Sequence, residues 1–126
     1  PDRCLTDALA REGAVHLVAR LETDRAVVGP LVVTGATPCV RCQDLVRCRY
    51  DPSWPLLVAQ LCRTPAASDP ALLAWAAATA VLQVRCHLAG GVADAVGRTL
   101  EIGPDHVLRT RDWPVHPGCG CVLAAA

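Results

Sequence analysis

Two cysteine pairs, far apart in the sequence, have the residue type and spacing of metal ligands. Cys39 and Cys42 form a CxxC motif, and Cys119 and Cys121 form a CxC motif near the C-terminus. Each short spacer lets two sulfur atoms turn toward one ion, so two such pairs can supply the four thiolates of a closed tetrahedral zinc site. We therefore predict a zinc clamp made of Cys39, Cys42, Cys119 and Cys121, which would close the intervening chain into one loop.

A thiol redox centre is the alternative for the first pair, because redox enzymes also place a CxxC motif between a strand and a helix. Such a centre needs no second pair, which favours zinc. Four thiolates leave no coordination position for water, so the ion would be structural. His116 precedes Cys119 by three residues and is a rival ligand, although we expect it to pack beside the site. The other cysteines are expected to be buried thiols: Cys4, Cys48, Cys62 and Cys86.

Length and composition limit the classes of protein that this chain can represent. The 126 residues fit one domain, residues 1–126, with a modest core. The formal net charge is +0, which argues against a nucleic-acid binder because such a protein needs a basic face. Eight cysteines also allow a secreted disulfide protein. The aliphatic composition and the lack of an export signal pattern favour a cytoplasmic protein instead.

The arginines are the other group that could carry a function. Five of them lie near the cysteine motifs in sequence and could form a basic patch for an acidic peptide or a phosphate; the alternative is that they are solvated and balance Asp44, Asp51 and Asp112. These five are Arg41, Arg47, Arg49, Arg109 and Arg111. No catalytic motif and no glycine-rich phosphate loop is found in the sequence. We assign no catalytic residue and no nucleotide site, and we expect His16, His87 and His106 to be structural.

The hydrophobic pattern predicts an α/β unit with a mixed sheet flanked by helices. Helices are predicted over 2–12, 42–49, 51–62 and 69–89, and strands over 15–21, 26–34, 98–102 and 106–110. Asp51 and Asp69 each precede a proline and are predicted helix N-caps. Gly29-Pro30 predicts a bulge or an edge position in its strand. The apolar stretch after Pro70 is predicted to be a buried helix and not a membrane span.

Several segments resemble a known family. Val28–Val32 followed by Thr37–Cys42 is similar to the crossover segment of ThiF-like proteins, relatives of the ubiquitin-activating enzymes. Asp51–Pro55 and the ending Arg111–Cys121, with its HPGCGC sequence, resemble the cyclodehydratase domain of bacteriocin biosynthesis. That group includes the leader-peptide-binding components of azole-forming peptide maturation. The resemblance covers nearly the whole chain.

The resemblance implies a fold, a metal site and partners. The fold would be the C-terminal part of a ThiF-like Rossmann-type domain, whose zinc ligands would be Cys39, Cys42, Cys119 and Cys121. The chain would be a non-catalytic scaffold that works with a precursor peptide and a YcaO-type enzyme, which uses ATP to form azolines from Cys, Ser or Thr. A ThiF-like adenylyltransferase acting on a sulfur carrier or a peptide C-terminus is the first alternative, and a disulfide-rich binding protein is the second.

The chain also departs from the family pattern. It is expected to begin inside the family's domain, because the nucleotide-binding half with its glycine-rich loop and the small module that grips leader peptides have no counterpart in it. This chain alone is therefore not expected to adenylate a substrate. A sheet edge left uncovered would favour pairing with a second copy, so a homodimer is another expected arrangement.

Overall fold

The computed structural model describes residues 2–63 and 69–122, which contain four helices and four strands. In chain order these are α1 (Arg3–Arg11), β1 (His16–Leu21), β2 (Ala26–Val32), α2 (Val40–Tyr50), α3 (Trp54–Leu61), α4 (Pro70–Leu88), β3 (Arg98–Ile102) and β4 (Leu108–Asp112). The predicted α/β class and the identity of every predicted element are confirmed. The boundaries differ by a few residues: α3 begins three residues later than predicted, and β4 begins and ends two residues later.

The four strands form one sheet in the order β1-β2-β3-β4. All three pairings are antiparallel, and the parallel component in the described part of the chain is an isolated bridge between Leu31 and Val96. The prediction of a mixed sheet was therefore wrong. The β1-β2 and β3-β4 connections are short hairpins, which require antiparallel neighbours, and the long α2–α4 segment returns β3 antiparallel to β2.

Strand β2 is the centre of the sheet and is buried along its whole length. Its register with β1 shifts between Leu17 and Ala19, opposite Gly29-Pro30, so the predicted bulge is confirmed while the edge position is not. Gly29 has a φ of +112° and packs against the backbone of Arg98 and Thr99 on β3. A side chain at this position would collide with that backbone, so only glycine fits where β2 meets β3.

Of the two predicted helix N-caps, one is confirmed and the other is not. Asp69 caps α4, because its carboxylate accepts a hydrogen bond of 2.7 Å from the N–H of Ala71. Asp51 was predicted to cap α3 in the same way, but it lies at the end of α2, and Ser53 is the N-cap of α3. The Asp51 carboxylate still accepts a bond of 2.9 Å from the N–H of Ser53, so it shapes the turn between the two helices.

The prediction that α4 is buried was wrong for most of its surface. Its buried residues are Leu72, Ala76 and Gln83, of which Leu72 and Ala76 pack on Ala26 and Val28 of β2. Near its C-terminal end, Gln83 accepts a hydrogen bond of 2.9 Å from the N–H of Ala95, and much of the remaining surface of the helix is exposed. Among the described helices, α4 is long and apolar enough, by length and composition alone, to cross a membrane. The core helices of soluble proteins have the same length and composition.

The opposite face of the sheet receives the polar side chains. Arg20 on β1 pairs with Val27 on β2, which in turn pairs with Glu101 on β3, so the register places these three residues in one row. Helices α2 and α3 lie beside this row, and residues of both helices and of the sheet line a shared cavity. The cysteine cluster lies elsewhere, against Val32 at the end of β2.

Candidate metal centre

The four cysteines of the predicted clamp come together, although 79 and 80 residues separate the partners in sequence. Their sulfur atoms all lie within 4.8 Å of one another. The Cys39 Sγ–Cys119 Sγ distance is 3.5 Å and the Cys42 Sγ–Cys121 Sγ distance is 3.3 Å. These separations exceed the roughly 2.05 Å of a disulfide bond. The cluster is therefore a group of four thiols around a common centre.

The first pair is positioned by the start of α2. Cys39 is the N-cap of this helix, and Cys42 lies in its first turn. The Thr37 hydroxyl oxygen accepts a hydrogen bond of 2.9 Å from the N–H of Val33, which folds the chain back between β2 and the motif. Both sulfurs are buried, and the positive end of the helix dipole lies beside them.

The second pair is positioned by β4 through a buried tryptophan. The Trp113 N–H donates to the Gly97 carbonyl over 2.9 Å, and its indole Nε1–H donates to the Thr99 hydroxyl over 3.1 Å. The Thr99 hydroxyl in turn donates to the Glu101 carboxylate over 2.8 Å. These bonds fix the chain where it leaves the sheet, six residues before Cys119. The sequence indicated the cysteines but not this anchor, because nothing in the spacing of Thr99 and Trp113 shows that they are in contact.

The segment between Trp113 and the second pair forms a turn, and one of its backbone N–H groups approaches the cysteine cluster. The N–H of Cys119 donates to the His116 carbonyl over 2.9 Å, and Gly120, at a φ of +72°, takes the left-handed conformation that glycine favours. The N–H of His116 approaches Cys42 Sγ at 3.4 Å, while its ring Nδ1 accepts from the N–H of Gly118 over 3.0 Å. His116 is thus a neighbour of the cluster through its backbone, and its ring is engaged in the local turn.

The protonation of the cysteines is set by burial and by hydrogen bonds within the cluster. Burial would raise the pKa of Cys42, but hydrogen bonds from the His116 backbone and from the neighbouring cysteines outweigh it, so the pKa lies below the usual value. Burial raises the pKa of Cys121 to about 11, and the hydrogen bond with Cys42 adds to the effect. Burial also raises the pKa of Cys119 well above its usual value. Cys42 is therefore easier to deprotonate than Cys119 and Cys121.

A metal ion fits this donor set. Four sulfurs bound at about 2.3 Å around a tetrahedral zinc ion would lie about 3.8 Å from one another, and the observed sulfur separations range around that value. A bound cation would also balance the negative charge of the thiolates, which burial in the protein disfavours. The four residues are compatible with a metal site, and their all-sulfur composition suits soft, thiolate-binding metals.

The other sequence-predicted residues lie away from the cluster. Cys4 and Cys62 are exposed, so the prediction that they are buried thiols was wrong. Cys48 and Cys86 are partly buried, and Cys86 packs against the buried cluster of Leu31, Ala93 and Ala95. No disulfide bond joins the cysteines of residues 2–63 and 69–122. The Nδ1 of His16 lies 2.8 Å from the Ala14 carbonyl oxygen, and its structural role stays a prediction.

The five arginines near the cysteine motifs, for which a basic patch and solvated side chains were the two interpretations, divide into separate groups. Arg47 and Arg111 line one cavity, in which Arg47 stacks between two tryptophans. Arg109 is on the sheet and donates to Asp105 over 3.0 Å. Arg41 and Arg49 are exposed on α2. Three arginines from α1 and the β1-β2 hairpin, distant in sequence, join the cavity instead; these are Arg3, Arg20 and Arg25.

Comparison with known proteins identifies the fold of this chain. The sequence matches no protein-family profile and no curated protein. The fold, in contrast, is shared with solved structures of the enzyme MccB and the heterocyclase TruD.

Two solved proteins show the likeness in particular. Escherichia coli MccB superimposes with a TM-score of 0.72 and 21% sequence identity, over 97% of this chain and 36% of MccB. Other structures of MccB, a microcin C7 biosynthetic enzyme, contain ATP or MccA. The heterocyclase TruD superimposes with a TM-score of 0.66 and 19% identity, over 94% of this chain and 20% of TruD. The chain thus spans about a third of MccB and a fifth of TruD, and at these identities the likeness establishes the fold.

Proposed function

We propose that this chain is the C-terminal portion of a ThiF-like domain that serves as a non-catalytic scaffold in peptide maturation. The observation that carries the proposal is a tetrathiol cluster within a fold that is shared with the heterocyclase TruD and the microcin enzyme MccB. Specifically, the chain would be a docking component of a cytoplasmic cyclodehydratase, which installs thiazoline or oxazoline rings in a precursor peptide together with a YcaO-type enzyme.

Zinc is the metal that we propose for the cluster, held by Cys39, Cys42, Cys119 and Cys121. Four thiolates suit zinc, and a site closed by four protein ligands has a structural role. When bound, the ion would supply a cross-link between the start of α2 and the C-terminal segment. The protein itself positions the two cysteine pairs. Helix α2 holds the first pair, and the Trp113 anchor directs the second pair toward the first.

Elemental analysis of protein purified without chelator tests the metal proposal. We expect about one zinc per chain in the wild type and none in the double variant C119S/C121S. The variant C4S/C62S, which alters two exposed cysteines outside the cluster, is the matched control and should keep its zinc. A folded wild-type protein without metal would contradict the proposal.

Docking is supported by the apolar side chains that α3 and α4 leave exposed. Leu56 and Leu61 on α3, and Leu73 and Leu82 on α4, are all more than half exposed. Exposed apolar groups of this kind suit association with another protein. A pull-down with a YcaO-type enzyme and its precursor peptide should therefore retain both, and should lose them when Leu82→Asp is introduced. Failure of the folded wild-type chain to retain either molecule would contradict the docking role.

Adenylation is the second candidate, and the structure of MccB with ATP is the observation that favours it. The reaction would belong to a larger ThiF-like protein and would activate a peptide or sulfur-carrier C-terminus. ATP–pyrophosphate exchange separates the two candidates. No exchange is expected from this chain, and exchange above the background would make adenylation the preferred function.

A disulfide-rich binding protein is the third candidate from the sequence. Counting free thiols under denaturing conditions distinguishes it from the metal protein, after the metal has been removed. We expect close to eight reactive thiols per chain, the number of cysteines in the sequence. A count near zero would favour the disulfide protein.

A further inference from the structure

A second candidate site lies on the face of the sheet opposite α4. Here a cavity of about 510 Å³ is lined by residues of all four strands and of α1, α2 and α3, and its volume is within the range of small-molecule sites. Five arginines and three carboxylates line it, so its charge is positive. The arginines are Arg3, Arg20, Arg25, Arg47 and Arg111, and the acids are Glu22, Asp24 and Glu101.

Most of these arginines already have a carboxylate partner. Arg3 makes a two-pronged contact with Asp44, at 2.6 and 2.9 Å. Arg20 donates to Glu22 over 3.0 Å, and Arg25 lies 3.5 Å from the same carboxylate. Arg111 is 3.8 Å from Glu101. These pairs neutralise part of the charge and hold the cavity wall in place.

Arg47 differs from them. Among the described residues no acceptor bonds its guanidinium, which instead stacks over Trp54 at 4.5 Å and Trp113 at 4.9 Å. The nearby Asp44 cannot serve it well, because its oxygens already accept from Arg3 and from the Trp54 indole, over 2.9 Å in the latter case. Stacking satisfies the faces of a guanidinium but leaves the N–H groups at its edge available.

The surroundings of Arg47 make an anion favourable there. Burial, together with the charges of Arg20 and Arg111, lowers the pKa of Arg47 to about 10. A negatively charged group in the cavity would relieve both the loss of solvation and the repulsion. Leu21, Val58 and Leu61 provide an apolar wall beside the arginines, where an uncharged part of a ligand can pack.

We propose that this cavity binds an oxyanion, a carboxylate or a phosphate group, attached to an apolar body, with Arg47 as its principal partner and Arg111 as a second. A guanidinium edge suits both groups because it offers two parallel N–H donors. The proposed site is separate from the cysteine cluster and does not depend on the function proposed above.

Titration calorimetry on the full chain tests the site with three probes. Inorganic phosphate reports phosphate binding, N-acetyl-leucine reports carboxylate binding, and N-acetyl-leucinamide is the uncharged control. We expect one of the two anions to bind more tightly than the amide, and the tighter anion identifies the group. Binding should also change the fluorescence of Trp54, which contacts Arg47. Binding of neither anion at millimolar concentration would overturn the proposal.

Two substitutions assign the binding to this cavity. Arg47→Met keeps much of the side-chain volume and removes the charge, and it should weaken the tighter anion about tenfold or more. Arg49→Met, on the exposed side of the same helix, should leave the affinity unchanged. If circular dichroism shows that R47M is unfolded, the variant Arg111→Met, on exposed β4, is tested instead. It should also weaken binding. Unchanged affinity in a folded R47M, or in R111M used in its place, would overturn the proposal.

Discussion

At the scale of single residues, the chain of hydrogen bonds from Trp113 through Thr99 to Glu101 links the sheet to the cysteine cluster. Thr99 and Trp113 are buried, and each bond is between 2.8 and 3.1 Å long. Because a buried polar group without a partner is costly, this chain makes the position of Trp113 specific. The segment that carries Cys119 and Cys121 therefore leaves the sheet in a defined direction.

Replacing Thr99 by valine tests this link. The hydroxyl both accepts from the Trp113 indole and donates to Glu101, so Thr99→Val removes both bonds while keeping the shape. We expect a loss of about 1–3 kcal/mol in the free energy of unfolding, since the indole N–H becomes unsatisfied. Urea denaturation provides the measurement. The exposed neighbour variant Thr110→Val is the control, and an equal effect in both variants would contradict the link.

The β3-β4 turn provides a prediction for pH. The hydrogen bond from Arg109 holds the pKa of Asp105 well below its usual value of 3.8. A carboxyl with a lowered folded-state pKa adds stability that is present above pH 4 and is lost as the pH falls below it. We therefore expect Arg109→Gln to raise the Asp105 titration midpoint, followed by NMR, toward its usual value. The variant should be less stable than the wild type at pH 6, and the difference should shrink as the pH falls below 4; a midpoint near 3.8 in the wild type would contradict the prediction.

At the scale of elements, α4 is a helix with one buried stripe, and its remaining faces are exposed. Leu72 is 9% exposed and packs on β2, whereas Val81 is 56% exposed. The two residues belong to one apolar stretch and cannot be distinguished by hydropathy. Their contributions to stability are nevertheless expected to differ, because only buried apolar groups leave a cavity when they are shortened.

A pair of truncations measures that difference. Leu72→Ala should lower the free energy of unfolding by about 2–5 kcal/mol, the usual cost of emptying a buried leucine site. Val81→Ala should change it by less than about 0.5 kcal/mol, as exposed substitutions generally do. Thermal or urea unfolding of both variants provides the test. A large loss in V81A would mean that another surface covers this face of α4, for example in a homodimer.

At the scale of the whole molecule, the cysteine cluster joins the start of α2 to the segment that follows β4. Cys39 and Cys42 lie at the start of α2, and Cys119 and Cys121 follow β4. A metal cross-link there would restrict the unfolded chain over about 80 residues, and the free energy of metal binding would add directly to the free energy of folding. The sheet and α4 form their own core, so the two contributions can be separated.

Removal of the metal should therefore destabilise the protein without abolishing all structure. We expect a chelator to lower the melting temperature markedly and to expose the C-terminal segment first, since its ties to the rest are the cluster and the Trp113 anchor. Hydrogen exchange of residues 115–121, compared with that of β2, measures this order of opening. Added zinc should restore protection, and a melting temperature unaffected by chelation would contradict the role of the metal.

Local patterns were enough to predict the elements but not their burial. Asp69-Pro70 marked the start of α4, and the alternation of residues marked β3, because capping and strand patterns depend on neighbouring residues. Hydropathy alone placed α4 inside the protein, although most of its surface is exposed in the described structure. Burial depends on which elements pack together, and that information lies outside the helix.

The sequence by itself indicated the four cysteines of the cluster, because CxxC and CxC spacings let one ion bind two sulfurs whatever the surrounding fold. It also determined the order of the elements and indicated an irregularity at Gly29-Pro30. Only the tertiary structure decided that the sheet is antiparallel, that Trp113 anchors the second pair through Thr99, and that Arg47 faces a cavity with arginines from α1 and the β1-β2 hairpin. Each of these depends on contacts between residues distant in sequence, which strand register and helix packing create.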